Sequence, residues 1–473
     1  MRLSHLVKAC LNLAPWPSRD EFASNRVQNS RANWLRLSAA KNIYGVTTGF
    51  GPMVAFQVPE NLQAEHSLRL LRSLTCGQGD LCDPSIVRLT MALRAYTLDL
   101  GFSGVRLEIP DTLWAMAKHG ITPTVPSIGS LGASGDLIPL AHIALFACGE
   151  NSVPNSMTPR LLLENLGLTP LNPEPREALS MINGTSFTLA NAAIACEHIR
   201  HSLFESERLC GALFSVLGAS FEPLKPAIHE IRGHTGQIQS AANILKSVIE
   251  KPTGKVRDLQ EPYSLRCAPQ ILGAARDVIE WAASILETEM NGVDDNPVVT
   301  KDDIIHGGNF MAQQIAFASD SLSSAAIQIG ILIERQLTLL CTPHYSDLPM
   351  LLSSNPGPQS GFAGVQILCT ALVAELKSLG GNHANASIPA NLSNQDIVSM
   401  GSLAARRCLK ISQHLEQIVA CLSLALKQAA YLQNRTDIIN VMKGISFVEL
   451  LDDRPLHQEI LTETHQLSIL GGI

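Results

Sequence analysis

Residues 126–142, Pro-Ser-Ile-Gly-Ser-Leu-Gly-Ala-Ser-Gly-Asp-Leu-Ile-Pro-Leu-Ala-His, constrain this chain more than any other stretch. Gly129, Gly132 and Gly135 recur at every third position, and only Ala133 and Ser134 separate the last two. A backbone so free of side chains can double back tightly. If the amide nitrogen of Gly135 is pressed against the carbonyl carbon of Ala133, a five-membered ring can close. Loss of the Ser134 hydroxyl as water then leaves an exocyclic alkene. The result is an electrophile made from the main chain, whereas ordinary side chains supply nucleophiles, acids and bases. Two plainer readings compete. A glycine-rich loop before a helix can cradle phosphate, but this run has no Lys and fits neither the P-loop nor the dinucleotide spacing. A simple turn into a helix over 137–146, with Asp136 favourable near its N-terminus, stays open on this stretch alone.

Composition narrows the setting. A chain of 473 residues is long enough for two or three domains. Charged residues make up 16%, well below the usual quarter or so, so much surface is expected to be hidden in an oligomer. A net charge of −7 argues against nucleic acid as a partner. The eleven Cys are scattered without C-x-x-C spacing, as expected for reduced thiols in a cytoplasmic protein. Lys8 and Pro15 interrupt the short apolar run at the N-terminus, so no signal peptide is expected. No run approaches the roughly 18 uninterrupted apolar residues of a membrane span, so no membrane partner is expected.

Further motifs follow in order. Residues 42–52, Asn-Ile-Tyr-Gly-Val-Thr-Thr-Gly-Phe-Gly-Pro, form a loop by their glycines and carry Tyr44, one of five tyrosines. Residues 62–100 have an amphipathic helical pattern that includes Ser73 and Leu74. After a Pro-rich linker at 170–176, Asn183 and Gly184 stand where a long helix opens and runs to Leu217. His229 and His234 are five apart, off a single helical face, which speaks against a metal site. In Gln260-Glu-Pro-Tyr-Ser-Leu-Arg, Arg266 offers a planar fork for a carboxylate. Residues 291–297 join two long helices, the second starting at 306–310 and reaching about Leu340. Helices are expected over 360–379 and 395–431, apolar on nearly all faces as in a bundle core.

These motifs, in this order over about residues 25–450, resemble the histidine/phenylalanine/tyrosine ammonia-lyase superfamily. The resemblance implies that Ala133, Ser134 and Gly135 cyclise to 4-methylidene-imidazol-5-one (MIO), with no metal or nucleotide. It implies Tyr44 as the general base on a lid, Asn183 beside MIO, Tyr263 as a proton relay against it, Gln260 near the electrophile and Arg266 as the carboxylate clamp. Asn309 and Phe310 match pocket-lining positions, as do Ser73 and Leu74. Phenylalanine lyases tend to have Phe-Leu at the last pair, tyrosine lyases His-Leu or similar, and histidine lyases Ser-His; Ser73-Leu74 is none of these. Gln395 stands where histidine lyases carry a catalytic Glu, and Met311 where they often carry His. The substrate implied is an aromatic amino acid of the phenylalanine or tyrosine type.

Release of ammonia would make the chain a carbon–nitrogen lyase. Re-addition at the β-carbon would make it a 2,3-aminomutase, and a non-catalytic helical homologue is the third reading. A Tyr base pays for its pKa near 10, which positive helix ends are expected to offset in part. The resemblance also implies a mainly α fold of the L-aspartase/fumarase type. Residues 1–185 would carry the lid and the MIO loop, and 186–473 the long-helix bundle. Four subunits would pack bundle to bundle, each active site drawing on three chains.

Overall fold

The computed structural model describes residues 1–39, 41–151, 158–249, 260–442 and 447–468. The chain is mainly α-helical. Among the described residues its strands are two short antiparallel pairs, Gln78–Leu81 with Pro126–Ile128 and Val298–Val299 with Ile304–Ile305. By packing, the chain forms two compact units, each discontinuous in sequence. One comprises Met1–Ile194, Ser284–Asp320 and Asn382–Arg406; the other comprises Ala195–Ala283, Ser321–Gly381 and Arg407–Ile473. The long helices Ser186–Leu217, Ala268–Asn291, Gln313–Cys341 and Gly401–Leu432 each share their residues between the two units.

In the first unit, local sequence sets the elements. The helix Pro84–Asp99 begins with Pro at its first position, and Asp83 caps it by accepting from the Ser85 amide at 2.8 Å. The helix Leu137–Ala147, apolar all round, is buried over nearly its whole length. Glu177–Ile182 is fully buried too. Arg176, in the Pro-rich linker, is buried with φ +81°, and its guanidinium pairs with Asp295 at 3.0 Å. A linker read from its prolines is thus pinned by an internal ion pair.

The second unit carries most of the long-helix packing. Several of its buried polar groups pair with one another. Lys427 pairs with Glu463 at 2.7 Å, and Ser423 donates to the same carboxylate at 2.6 Å. His198 pairs with Glu416 at 2.7 Å.

Two helix starts differ from the sequence reading. The segment 306–310 is loop, and the helix starts at Gln313. The helix expected from Gln395 starts at Gly401. Asn391, Leu392, Ser393 and Met400 have positive φ, which a right-handed helix does not allow. Ser399 replaces the missing turn, its Oγ accepting from the Gly401 amide at 3.1 Å. The pattern over 62–100 divides into the helix Gln63–Leu74, the strand Gln78–Leu81 and the helix Pro84–Asp99.

By length and composition, Gln313–Cys341 and Ala363–Asn385 reach what a membrane crossing needs, although neither is an uninterrupted apolar run. The most apolar window of the first is 67% buried; that of the second is 28% buried in the single chain.

Candidate active site

The Ala133–Gly135 loop is held from below by Asp136. One carboxylate oxygen accepts from Ser130 Oγ at 2.6 Å and Thr188 Oγ1 at 2.7 Å; the other accepts from the Thr188 amide at 2.7 Å. Its own amide donates to the Gly184 carbonyl at 2.7 Å. Burial pushes the Asp136 carboxyl up to about 6, against those hydrogen bonds. Gly132 and Gly135 have φ of +68° and +72°. At Gly135 no side chain is possible, since a Cβ would run into the backbone of Gly184.

Two later segments tie the loop from the side. The Gly135 amide donates to the Phe310 carbonyl at 3.2 Å, and the Ala312 amide donates to the Gly132 carbonyl at 3.1 Å. Ser399 Oγ donates to that same carbonyl at 2.7 Å. Ser134 is then gripped at both ends of its polar chemistry. Gln395 Nε2 donates to its hydroxyl at 2.6 Å, and Asn183 Nδ2 donates to its carbonyl at 2.7 Å. Gln395 reaches it because 391–400 is loop. The Asn183 side-chain oxygen is buried with no hydrogen-bond partner.

Above Ser134 opens a cavity of about 1040 Å³. Tyr44 lines it, the phenol oxygen accepting from the Gly51 amide at 2.7 Å. The Tyr44 amide donates to His306 Nε2 at 3.2 Å, which makes that nitrogen an acceptor. Burial, Arg176 and Lys41 lower the His306 pKa, in keeping with a neutral ring. Burial raises the Tyr44 phenol above its ordinary value, and the Gly51 amide pulls the other way. The opposing donor is thus a loop amide, where helix ends were expected.

Of the residues singled out from the sequence, Tyr44, Ser73, Leu74, Ala133, Ser134, Asn183, Phe310 and Gln395 all line this cavity. Asn309 does not. Its side-chain Nδ2 donates to the Val293 carbonyl at 3.0 Å, and it faces a separate cavity of about 460 Å³ with Glu289 and Asp294. Among the described residues no group of three His, Cys, Asp or Glu is placed to hold a metal. His229 is occupied on both ring nitrogens, by the Pro223 carbonyl at 2.9 Å and Gln237 at 2.8 Å.

Comparison with known proteins settles the lineage of this arrangement. The model of the family described as "Aromatic amino acid lyase" matches residues 4–445. The chain belongs to that family. It is 38% identical to a tyrosine ammonia-lyase of Cupriavidus metallidurans over 438 residues, 86% of this chain and 82% of that protein. It is 36% identical to a histidine ammonia-lyase of Idiomarina loihiensis over 448 residues, 91% and 85% of the two chains. The structure of a tyrosine aminomutase from Streptomyces globisporus superposes with TM-score 0.90 at 32% identity, covering 99% of this chain and 95% of that one. As a member of the aromatic amino acid lyases, the chain is a carbon–nitrogen lyase by family, with the all-α fold of its relatives.

The remaining predicted residues of this lyase lie in the second unit. Arg266 Nη1 donates to Gln260 Oε1 at 2.7 Å, and the guanidinium lies 5.9 Å from the centre of the Tyr263 ring. Gln260 and Arg266 line a cavity of about 650 Å³ with Arg232 and Gln270. Tyr263 is 72% exposed. None of the three lines the cavity over Ser134.

Sequence reasoning missed His66 and His306 on the cavity wall. His66 could have been found by stepping back along the helix from Ser73 and Leu74 at intervals of three and four. Nothing in the sequence near His306 pointed to its bond with the Tyr44 amide, which links residues 262 apart.

Proposed function

We propose that this lyase eliminates ammonia from an aromatic L-α-amino acid of the phenylalanine or tyrosine type, leaving the α,β-unsaturated acid. The observation that carries this reading is the double grip on Ser134 at the floor of a large cavity beneath Tyr44.

The loop fits MIO. Gly135 has no room for a side chain and holds φ +72°. The nearby Asn183 oxygen is buried and orphaned. Formed from Ala133, Ser134 and Gly135, MIO would supply an electron-poor alkene as the electrophile for an amine. The chain's own residues do the rest. Asn183 donates to the Ser134 carbonyl, where negative charge is best placed, and its free oxygen can accept from the substrate nitrogen. Gln395 holds the Ser134 hydroxyl before ring formation; once that hydroxyl is lost, its amide is released toward the substrate. Tyr44 takes the β-proton. Arg266 fixes the substrate carboxylate with a planar fork, and Gln260 and Tyr263 travel with it on the same segment.

On that segment Gln260 and Tyr263 are exposed in the single chain, and a neighbouring subunit's copy completes the cavity in a homotetramer. The apolar, mostly exposed Ala363–Asn385 stretch supports subunit packing. All eleven Cys are free thiols, which supports a reducing, cytoplasmic setting.

A 2,3-aminomutase outcome is the second reading, favoured by the likeness to the tyrosine aminomutase. Both readings need the same residues. An ammonia assay with chromatography for β-amino acids, over a panel of aromatic amino acids, separates them. Protein whose mass is that of the uncyclised chain, rather than two waters lighter, would overturn both.

A further inference from the structure

The Tyr44 loop closes largely on itself. The Ile43 amide donates to Thr47 Oγ1 at 2.8 Å, the Gly45 amide to Thr48 Oγ1 at 3.2 Å and the Gly51 amide to the Tyr44 phenol oxygen at 2.7 Å. The Tyr44 amide leaves the loop and donates to His306 Nε2 at 3.2 Å. Its acceptor stands on a braced platform. His306 directly follows the hairpin of Val298–Val299 and Ile304–Ile305. Val299 and Ile304 are buried in one cluster with Trp34, Ile43 and Val46, so residues on either side of Tyr44 pack on that hairpin. Asp303 pairs with Lys41 just ahead of the loop. The Gly307 amide donates to Asn296 Oδ1 at 2.8 Å just behind His306. Packing thus fixes the root of the loop, while Tyr44 itself is tied by an imidazole.

A ring nitrogen accepts a hydrogen bond only while it is unprotonated. The charged groups acting on this ring are Arg176, Lys41 and Asp303; burial and the two cations favour the neutral ring, against Asp303. Asp303 is engaged by Lys41, and Arg176 pairs with Asp295 at 3.0 Å.

We infer that His306 is a positioning residue for the proposed base: by accepting from the Tyr44 amide it docks the loop and aims the phenol into the cavity, and it does so only as the neutral ring. Protonated, Nε2 presents a second donor to the amide, and the loop is released at Tyr44. This inference rests on the ammonia-lyase reading, in which Tyr44 takes the β-proton, and deepens it.

The test compares His306→Ala, which removes the acceptor, with His306→Gln, whose side-chain oxygen can accept from the same amide and does not titrate. Hydrogen–deuterium exchange over peptides spanning 42–51 reads the loop directly. At about pH 7.5 His306→Ala should lose about tenfold in protection there, and His306→Gln should regain most of it. Corrected for the intrinsic exchange rate, wild-type protection should fall as pH is lowered past the ordinary imidazole value of about 6.5, and His306→Gln should stay level. In turnover of aromatic amino acids, His306→Ala should lose about tenfold or more in kcat with KM within about threefold, since the proton is taken only in the transition state. His306→Gln should recover most of that loss. The ratio of wild-type to His306→Gln kcat/KM cancels titrations common to both, so it should be level above about pH 7 and drop below about pH 6.5. Unchanged loop exchange in His306→Ala, a His306→Gln as impaired as His306→Ala, or a ratio level at every pH overturns the inference. A raised KM with kcat intact assigns His306 to substrate contact and overturns it too. The wild-type exchange profile needs no variant to fold. If no amino acid yields ammonia or a β-amino acid, the lyase reading fails, and loop exchange still decides whether His306 docks Tyr44.

Discussion

The loop around Ser134 and the segment around Arg266 carry opposite halves of the same proposed chemistry, and the chain treats them differently. Around Ser134, neighbours from 183, 310, 312, 395 and 399 supply hydrogen bonds to the loop, and Ala133 and Asn183 are about 5% and 4% exposed. Around Arg266, the guanidinium bonds Gln260 on its own segment, and Tyr263 is 72% exposed. Rigidity is useful for a group that must be formed and then held in register. A carboxylate clamp needs only to arrive with its donors free. Under the proposed function, the loop half is assembled within one unit and the clamp half is the part a second copy would supply.

The largest effect should come from the finished half. Ser134→Ala removes the hydroxyl that must leave as water, so the variant's mass should show no loss of two waters. Ammonia release should fall by about three orders of magnitude or more. Its melting temperature should change little, because the Ala312 amide and Ser399 Oγ still hold the Gly132 carbonyl beside the loop. Arg266→Gln should follow, with a loss of about a hundredfold or more, mainly in KM, as an unpaired substrate carboxylate is costly to bury. The two variants together test the contrast directly. Mixed and reassembled, Ser134→Ala and Arg266→Gln chains should regain activity, because some cavities then combine an intact loop with an intact clamp. No recovery on mixing would mean that each chain completes its own site.

Tyr44→Phe should cost about 10²–10⁴-fold, the usual worth of a positioned base. Its pH profile sharpens the point. Burial raises the Tyr44 pKa above its ordinary value of about 10. The active phenolate therefore grows as pH rises, and kcat/KM should climb through about pH 8 to 10. A plateau below about pH 8 would show that the assembled site lowers the phenol in a way the single chain does not.

Legibility in the sequence divides along the same line. Residues that gather over Ser134 could be named because their motifs are local: glycine spacing marks the loops at 44–52 and 129–135, while Asn183 and Gln395 were named through the resemblance of their motifs. Helix positions followed from apolar periodicity. The start at Gly401 did not, because the four positive-φ residues between 391 and 400 are all non-Gly, so no glycine marks that conformation. Arg176 looked like part of a solvated linker, and only the tertiary pairing with Asp295 explains its burial. Asn309 adjoins Phe310 in sequence, but its side-chain Nδ2 turns to the Val293 carbonyl and so to the neighbouring cavity. That Gln260, Tyr263 and Arg266 fall in the second unit has no counterpart in their motif, which encodes chemistry and not placement.

The smallest predicted effect concerns how tightly the finished half is finished. Thr185, next to the Gly184 that meets the loop, places its Oγ1 2.6 Å from Glu289 Oε1 and 3.0 Å from Asp294 Oδ2. One hydroxyl proton cannot serve two carboxylates. Asp294 is paired with Arg94 at 2.8 Å and accepts from the Thr185 amide at 2.6 Å. The economical arrangement puts a proton on Glu289, which donates to Thr185, which donates to Asp294. Burial pushes the Glu289 carboxyl up to about 7, with Asp294 and Asp136 adding to it. A pKa raised on folding means that the folded state holds the proton more tightly. The resulting stability is fully present below the ordinary carboxylate range and is lost as pH rises through about 7. Between pH 6 and 8 the melting temperature should therefore fall by about 1–3 °C on this account. Glu289→Gln, which keeps a neutral donor in place, should flatten that slope while leaving the rest of the pH dependence unchanged. An unchanged slope would mean that Glu289 is ionised beside Asp294, and that the network behind Ser134 is under charge repulsion instead of being satisfied.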